Sequence, residues 1–205
     1  NRNRISDMKP AIFSHDPEAI ANLTSIDYSK RITPEMAASG TAGRPVRIYA
    51  DGVFDLFHQG HANMLRQAKN LFPNVYLIAG VCGDEETVCV KGAPVFSEKE
   101  RFEVVRHCRY VDEVYCNSPF TFDMEFVRKM KIDFVAHDAI PYPVTGQTND
   151  VYQCFRDAGM FLETKRSEGI STTNVINRVL DDLGSFMIRN ARDDILKPKN
   201  ARNLA

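Results

Sequence analysis

The chain has 205 residues, 43% of them hydrophobic, which is enough to bury one full core. Its 26 basic and 27 acidic residues leave a formal charge of −1, so a broad nucleic-acid-binding surface is excluded and any anion site must be local. Five cysteines without a C-x-x-C pair fit neither a disulfide framework nor a zinc site and point to a reducing compartment, and no apolar run is long enough to cross a bilayer.

Residues 1–44 mix polar residues, Pro and Gly without sustained periodicity, and Ser39-Gly40-Thr41-Ala42-Gly43 reads as a flexible lead-in, so this arm is expected to be loosely held. The chain opens on Asn1 rather than Met, which reads as excision from something longer. Apolar β-type runs follow at 46–50, 75–81, 111–116, 134–137 and 161–164. Helical stretches alternate with them and carry start and stop chemistry. Ser97 with Glu100 forms a capping box, Asp123 caps the stretch holding Phe126, Val127 and Met130, and Gly159 closes the one holding Val151 and Phe155. Strand–helix alternation with such apolar strands predicts an α/β fold: a Rossmann-like parallel sheet of about five strands with helices on both faces. The domain is expected to run over residues 45–184, with 185–205 a tail too polar for a strong membrane helix. In such sheets ligands bind beyond the carboxyl ends of the strands.

After the first of these runs comes His58-Gln59-Gly60-His61, opening a helix with Leu65 and Ala68 at helical spacing. Unpaired N–H groups and the positive end of the helix dipole suit phosphate there, and protonated or hydrogen-bonding imidazoles strengthen the hold. The i, i+3 spacing, with no Glu after the first His, argues against a metalloprotease-type zinc site, and no metal ligands are assigned. A second helix start follows the fifth run at Arg166-Ser167-Glu168-Gly169-Ile170-Ser171-Thr172-Thr173. It offers free amides, hydroxyls and a guanidinium fork for phosphate oxygens; an ordinary N-cap by Ser171 or Thr172 is the alternative.

His58-Gln59-Gly60-His61 matches the H-x-G-H signature of the cytidylyltransferase and class I aminoacyl-tRNA synthetase superfamily, and the Arg166–Thr173 octet resembles the R-T-E-G-I-S-T-[ST] motif of cytidylyltransferases. The resemblance runs from about residue 44 to 183 and includes segments similar to the choline-phosphate branch, among them Arg109-Tyr110-Val111-Asp112-Glu113 and Phe134-Val135-Ala136-His137-Asp138. It implies catalysis by His58, His61, Lys91 and Arg166, with Lys91 bridging the two substrates. It places Val53, Phe54, His61, Lys91, His137, Asp138, Tyr142, Lys165, Arg166, Ser167, Ile170, Ser171 and Thr172 around CTP. Phosphocholine falls to Asp51, Lys91, Phe120, Tyr142 and Tyr152, because a quaternary ammonium without N–H donors needs aromatic faces and carboxylates. The family has a tryptophan where this chain has Phe120, a weaker cation–π partner.

The resemblance further implies Mg²⁺ bound with CTP, CDP-choline and pyrophosphate as products, and a homodimer. It also implies a cytoplasmic or nuclear address, with reversible membrane association only through a C-terminal region outside this chain. Phosphoethanolamine as acceptor is the nearest alternative, and a binding module that kept the fold and lost the chemistry is a more distant one. Loss of the histidine pair, Lys91 or Arg166 would mark the latter, and all are present.

Overall fold

The computed structural model describes residues 9–138 and 150–196, with side chains through Ala191. Among these residues the sheet has six strands: β1 (Ile12–Phe13), β2 (Val46–Gly52), β3 (Val75–Cys82), β4 (Glu113–Ser118), β5 (Phe134–Asp138) and β6 (Phe161–Thr164). All pair in parallel, in the order β1-β4-β3-β2-β5-β6. β3 and β5 flank β2, and the chain reverses its direction of progress across the sheet there. The carboxyl ends of β2 and β5 therefore open the crevice in which such sheets bind ligands.

Side chains alternate between two buried faces. Ile48 and Ala50 of β2 join Leu77, Ala79, Val114 and Phe134 in one core, closed by Leu65 and Ala68 of α3 (Gln59–Lys69) and by Phe102 and Val105 of α5 (Glu98–Arg106). Tyr49 joins Ile78 and Val135 in the other, closed by Val127 of α6 (Met124–Lys129) and Phe155 of α7 (Gln153–Asp157). Burial on both faces is why the strands read as continuous apolar runs. Tyr49 reaches across β3 to hydrogen-bond Ser118 on β4 at 2.6 Å, and only a glycine at 80 allows it, because a Cβ there would fall 2.1 Å from the Tyr49 hydroxyl. The expected caps are present. The Asp123 side chain accepts the N–H groups of Glu125 and Phe126, Glu100 accepts the Ser97 N–H at 2.9 Å, and Gly159 turns the chain after α7 with φ +63°.

Two expectations are corrected. β4, read as the run 111–116, begins two residues later than that run: Asp112 lies in a bend, where its carboxylate accepts the Leu77 N–H at 2.6 Å and pairs with Lys69 at 2.5 Å. Residues 9–44 of the arm are packed rather than loosely held. It adds a sixth strand, β1, at the sheet edge, and carries α1 (Pro17–Ser25) and α2 (Pro34–Ser39). Ala11, Ala19, Ile32 and Ala37 are buried, and Arg44 grips the buried Asp133 with two bonds of 2.6 and 2.8 Å. Tyr28 donates to the Ile132 carbonyl and Lys131 to that of Ile26. Single residues scattered through short elements make these contacts, so no periodicity announces them.

The chain divides into two compact units, Asn1–Glu168 and Gly169–Ala205. The second contains α8 (Thr172–Asp181) and α9 (Leu183–Leu196), and none of the α8 residues is buried.

Candidate active site

From the end of β2 the chain reaches α3 through a turn in which Phe54 and Leu56 take left-handed φ values of +56° and +45°, a conformation that side chains bearing a Cβ seldom adopt. Asp55, buried between them, fastens the turn. Its carboxylate accepts the N–H groups of Leu56 at 3.0 Å and of Val95 and Phe96 at 2.9 Å. The Phe54 ring lies in the core and meets His61 edge-on at 5.4 Å, so Phe54 offers a ligand its backbone rather than its ring.

His58 caps α3: its Nδ1 accepts the Gly60 N–H at 3.1 Å, and His61 Nδ1 accepts the His58 N–H at 3.4 Å. The two rings stack with centroids 3.8 Å apart. A neutral imidazole that accepts at Nδ1 carries its proton on Nε2, so these bonds leave both histidines with Nε2–H donors. Burial, reinforced by the His58 charge, pushes His61 down to about 3, and burial lowers His58 as well. Of the two modes expected for the pair, protonated or hydrogen-bonding, neutral donation is the one this geometry favours near pH 7.

A stability signature follows. His61 titrates in the folded chain below its ordinary value of 6.5, so the folded state binds fewer protons than the unfolded one between those values, and stability falls as pH drops through that window. The expected loss from His61 alone is about 2 kcal/mol between pH 7 and pH 5. Urea midpoints measured across this range should fall less steeply in His61→Gln; equal slopes would refute the assignment.

Lys91 is the last residue of α4 (Asp84–Lys91), and Gly92 turns the chain there with φ +94°. The start of α4 is fixed by reciprocal bonds: Asp84 N–H to Glu98 at 3.0 Å and Glu98 N–H to Asp84 at 3.1 Å. Arg101, fully buried, donates to Asp84, Val53 and Cys82 at 2.7 Å each and to Phe96 at 3.2 Å. One guanidinium thus ties the carboxyl ends of β2 and β3 to the loop beyond Lys91. Neither Arg101 nor Asp55 was predicted, since an arginine beside Glu98 and Glu100 at a helix start reads as a solvated surface charge. Arg101→Met strips donors from three carbonyls and is expected to lower unfolding free energy by about 3 kcal/mol in urea titrations. A loss below about 1 kcal/mol, the value of an ordinary surface change, would contradict this role.

On the other side of the strand ends, the Tyr152 hydroxyl donates to both Asp51 oxygens at 3.0 and 3.2 Å, and its ring stacks on His137 at 4.6 Å. Burial raises the Asp51 pKa, opposed by the charge of His137 and the bond from Tyr152. His137 Nδ1 lies 3.7 Å from the Asp138 carboxylate. The Lys91 charge is felt by both Asp51 and His61, and its ammonium sits 5.4 Å from the centre of the Phe120 ring. The Phe120 N–H in turn donates to Glu86 of α4 at 2.6 Å. The crevice therefore has an imidazole wall on the α3 side, an aromatic and acidic wall on the other, and a cation whose charge bears on both.

Beyond β6, residues 165–167 run along α3. Gln67 accepts the Lys165 N–H at 2.8 Å and donates to its carbonyl at 2.9 Å, while Asn63 donates to the Ser167 hydroxyl at 2.9 Å. Arg166 is exposed between them. Ile170, Ser171 and Thr172 belong to the second unit, where Ser171 caps α8 by accepting the Asn174 N–H at 3.1 Å. Tyr142 lies outside the described residues.

The cytidylyltransferase-like family model matches residues 49–178, more than half of the chain. The chain is a cytidylyltransferase-like protein. Within this family it is 52% identical over 184 residues to mouse choline-phosphate cytidylyltransferase A, covering 88% of this chain and 50% of that protein. Choline-phosphate cytidylyltransferase 2 of Arabidopsis thaliana is 52% identical over 153 residues, 74% of this chain and 50% of the relative. Ethanolamine-phosphate cytidylyltransferase of Dictyostelium discoideum is 42% identical over 140 residues, 68% of this chain and 38% of the relative. The cytidylyltransferase-like chain thus spans about half the length of the curated choline-phosphate relatives it matches.

Proposed function

We propose that this chain transfers the cytidylyl group of CTP to phosphocholine, forming CDP-choline and pyrophosphate. The observation that carries the reading is the stacked histidine pair, whose Nδ1 atoms are engaged by backbone N–H groups so that both Nε2–H donors remain for phosphate. Choline as the acceptor head is supported by the 52% identity to choline-phosphate enzymes against 42% to an ethanolamine enzyme, and by the aromatic and acidic wall of Asp51, Tyr152 and Phe120.

In the proposed reaction a phosphate oxygen of phosphocholine attacks the α-phosphorus of CTP in line. The bond from that phosphorus to the bridging oxygen breaks, pyrophosphate departs with the electron pair, and no covalent enzyme intermediate forms. His58 and His61 donate hydrogen bonds to oxygens on which charge grows, without themselves exchanging a proton. Lys91 neutralises the two anions as they approach, a task suited to a point charge on a long stem, and Arg166 holds further phosphate oxygens. Asp51 and Tyr152 orient the acceptor's cationic head. Imidazole N–H groups and cations fit phosphate rather than a metal, and among the described residues no group of three or more His, Cys, Asp or Glu could hold a metal ion. Mg²⁺ bound with CTP would be held by the triphosphate oxygens and would offset their charge.

We extend the proposal to a homodimer whose lipid response, and with it the membrane association of a cytoplasmic or nuclear protein, resides outside this chain. Light scattering should give the mass of two chains, and anionic vesicles should leave the rate unchanged; a one-chain mass or a many-fold rise would overturn the respective part.

The reading is tested by pyrophosphate release from the purified chain with Mg²⁺, phosphocholine and either CTP or ATP. Release is expected with CTP and not with ATP. No release with either, from protein whose thermal transition is intact, would replace the enzyme by a binding module of the same fold.

A further inference from the structure

We infer that Phe120 is the resting place of the Lys91 ammonium, and that nucleotide binding clears this ring for the cationic head of the acceptor. The inference rests on the proposed choline reading for its consequence, though not for its geometry. Lys91 Nζ lies 5.4 Å from the Phe120 ring centre, within the range of a cation–π contact. The pairing is built into one stretch of structure. Lys91 closes α4, while Glu86, on the same helix, holds the Phe120 backbone N–H at 2.6 Å, so helix and ring loop are fastened together.

One face of a ring accommodates one cation. While Lys91 occupies it, a quaternary ammonium must displace the lysine or forgo that face. A triphosphate alters the balance, because charge-assisted bonds from an ammonium to phosphate oxygens are stronger than an exposed cation–π contact. Lys91 has the reach for such a move, because its ammonium is a compact charge on a flexible four-carbon stem at the very end of α4. The nucleotide draws the lysine off the ring, and the acceptor's cation takes its place. The two substrates therefore bind with positive coupling, each tightening the other by the same factor. The ring contributes through Lys91 to nucleotide-dependent selection of the second substrate, a role that differs from simple contact with choline.

The experiment uses the full chain, with CTP whose α,β-bridging oxygen is replaced by methylene, so that both ligands can be present without turnover. NMR of lysine side chains should show the Lys91 ε-methylene protons shifted upfield by the Phe120 ring. Saturating analogue with Mg²⁺, with no choline present, should return them to the ordinary lysine position, as should Phe120→Leu alone. Choline, used as a probe without its own phosphate, should then bind about two- to fivefold tighter with the analogue than without it, the factor that an exposed cation–π contact supplies. Phe120→Leu should abolish this difference. An unshifted Lys91 signal in the free chain, or one unmoved by the analogue, overturns the inference. If Lys91 moves as described but phosphocholine supports no turnover, the choline reading fails while the resting place of Lys91 stands.

Discussion

Replacing His61 by alanine is expected to lower kcat for cytidylyl transfer by about 10²- to 10⁴-fold while the chain stays folded. His61 supplies one Nε2–H donor to the reacting phosphates and also holds the backbone N–H of His58, so its removal deletes one donor and loosens the ring that carries the other. Donors that are fixed before reaction, in a site that excludes water, are worth most where charge develops, so the loss should fall on kcat more than on KM for CTP. The protonation states add a second readout. With His61 held near 3, that ring carries no charge to lose on raising the pH, and burial moves His58 in the same direction. The rate should therefore not decline from pH 6 to pH 8 through an imidazole titration. A decline centred near 6.5 would show a catalytic imidazolium and contradict neutral donation.

Lys91→Ala is expected to cost about 10²- to 10³-fold in kcat and to raise KM for both substrates. The second effect separates it from His61. A cation whose field reaches Asp51 on one wall and His61 on the other serves both ligands, whereas an imidazole at the start of α3 serves the triphosphate. Lys91→Arg should recover little, because a planar fork cannot shift between two anions as a compact ammonium does. A Lys91→Ala enzyme with an unchanged KM for phosphocholine would remove the bridging role.

The parallel sheet was legible because its strands are buried on both faces. Val46, Ile48 and Ala50, or Leu77, Ala79 and Val81, leave no other way to read the runs, and β6 begins and ends where its run does. The histidine pair was legible for a local reason, since both rings lie within one turn of the helix they cap. What escaped detection acts over long sequence separations. Arg101 joins positions 53, 82, 84 and 96, and nothing near residue 101 reveals that its guanidinium points inward. Asp55 is similar, its partners lying forty residues on at Val95 and Phe96. The N-terminal segment escaped because single residues such as Ala11 and Ile32 fill gaps that the rest of the fold defines. Asp51 and Tyr152 stand between these cases. The needs of a quaternary ammonium brought both forward, while the bond between them spans 101 positions and lies beyond any local pattern.

A competition experiment tests acceptor choice most directly. Phosphocholine and phosphoethanolamine are offered together at equal concentration, with Mg²⁺ and limiting CTP, and the products are separated. CDP-choline should exceed CDP-ethanolamine by about tenfold or more, the discrimination that a desolvated aromatic and acidic subsite can supply. Equal amounts, or an excess of CDP-ethanolamine, would contradict it.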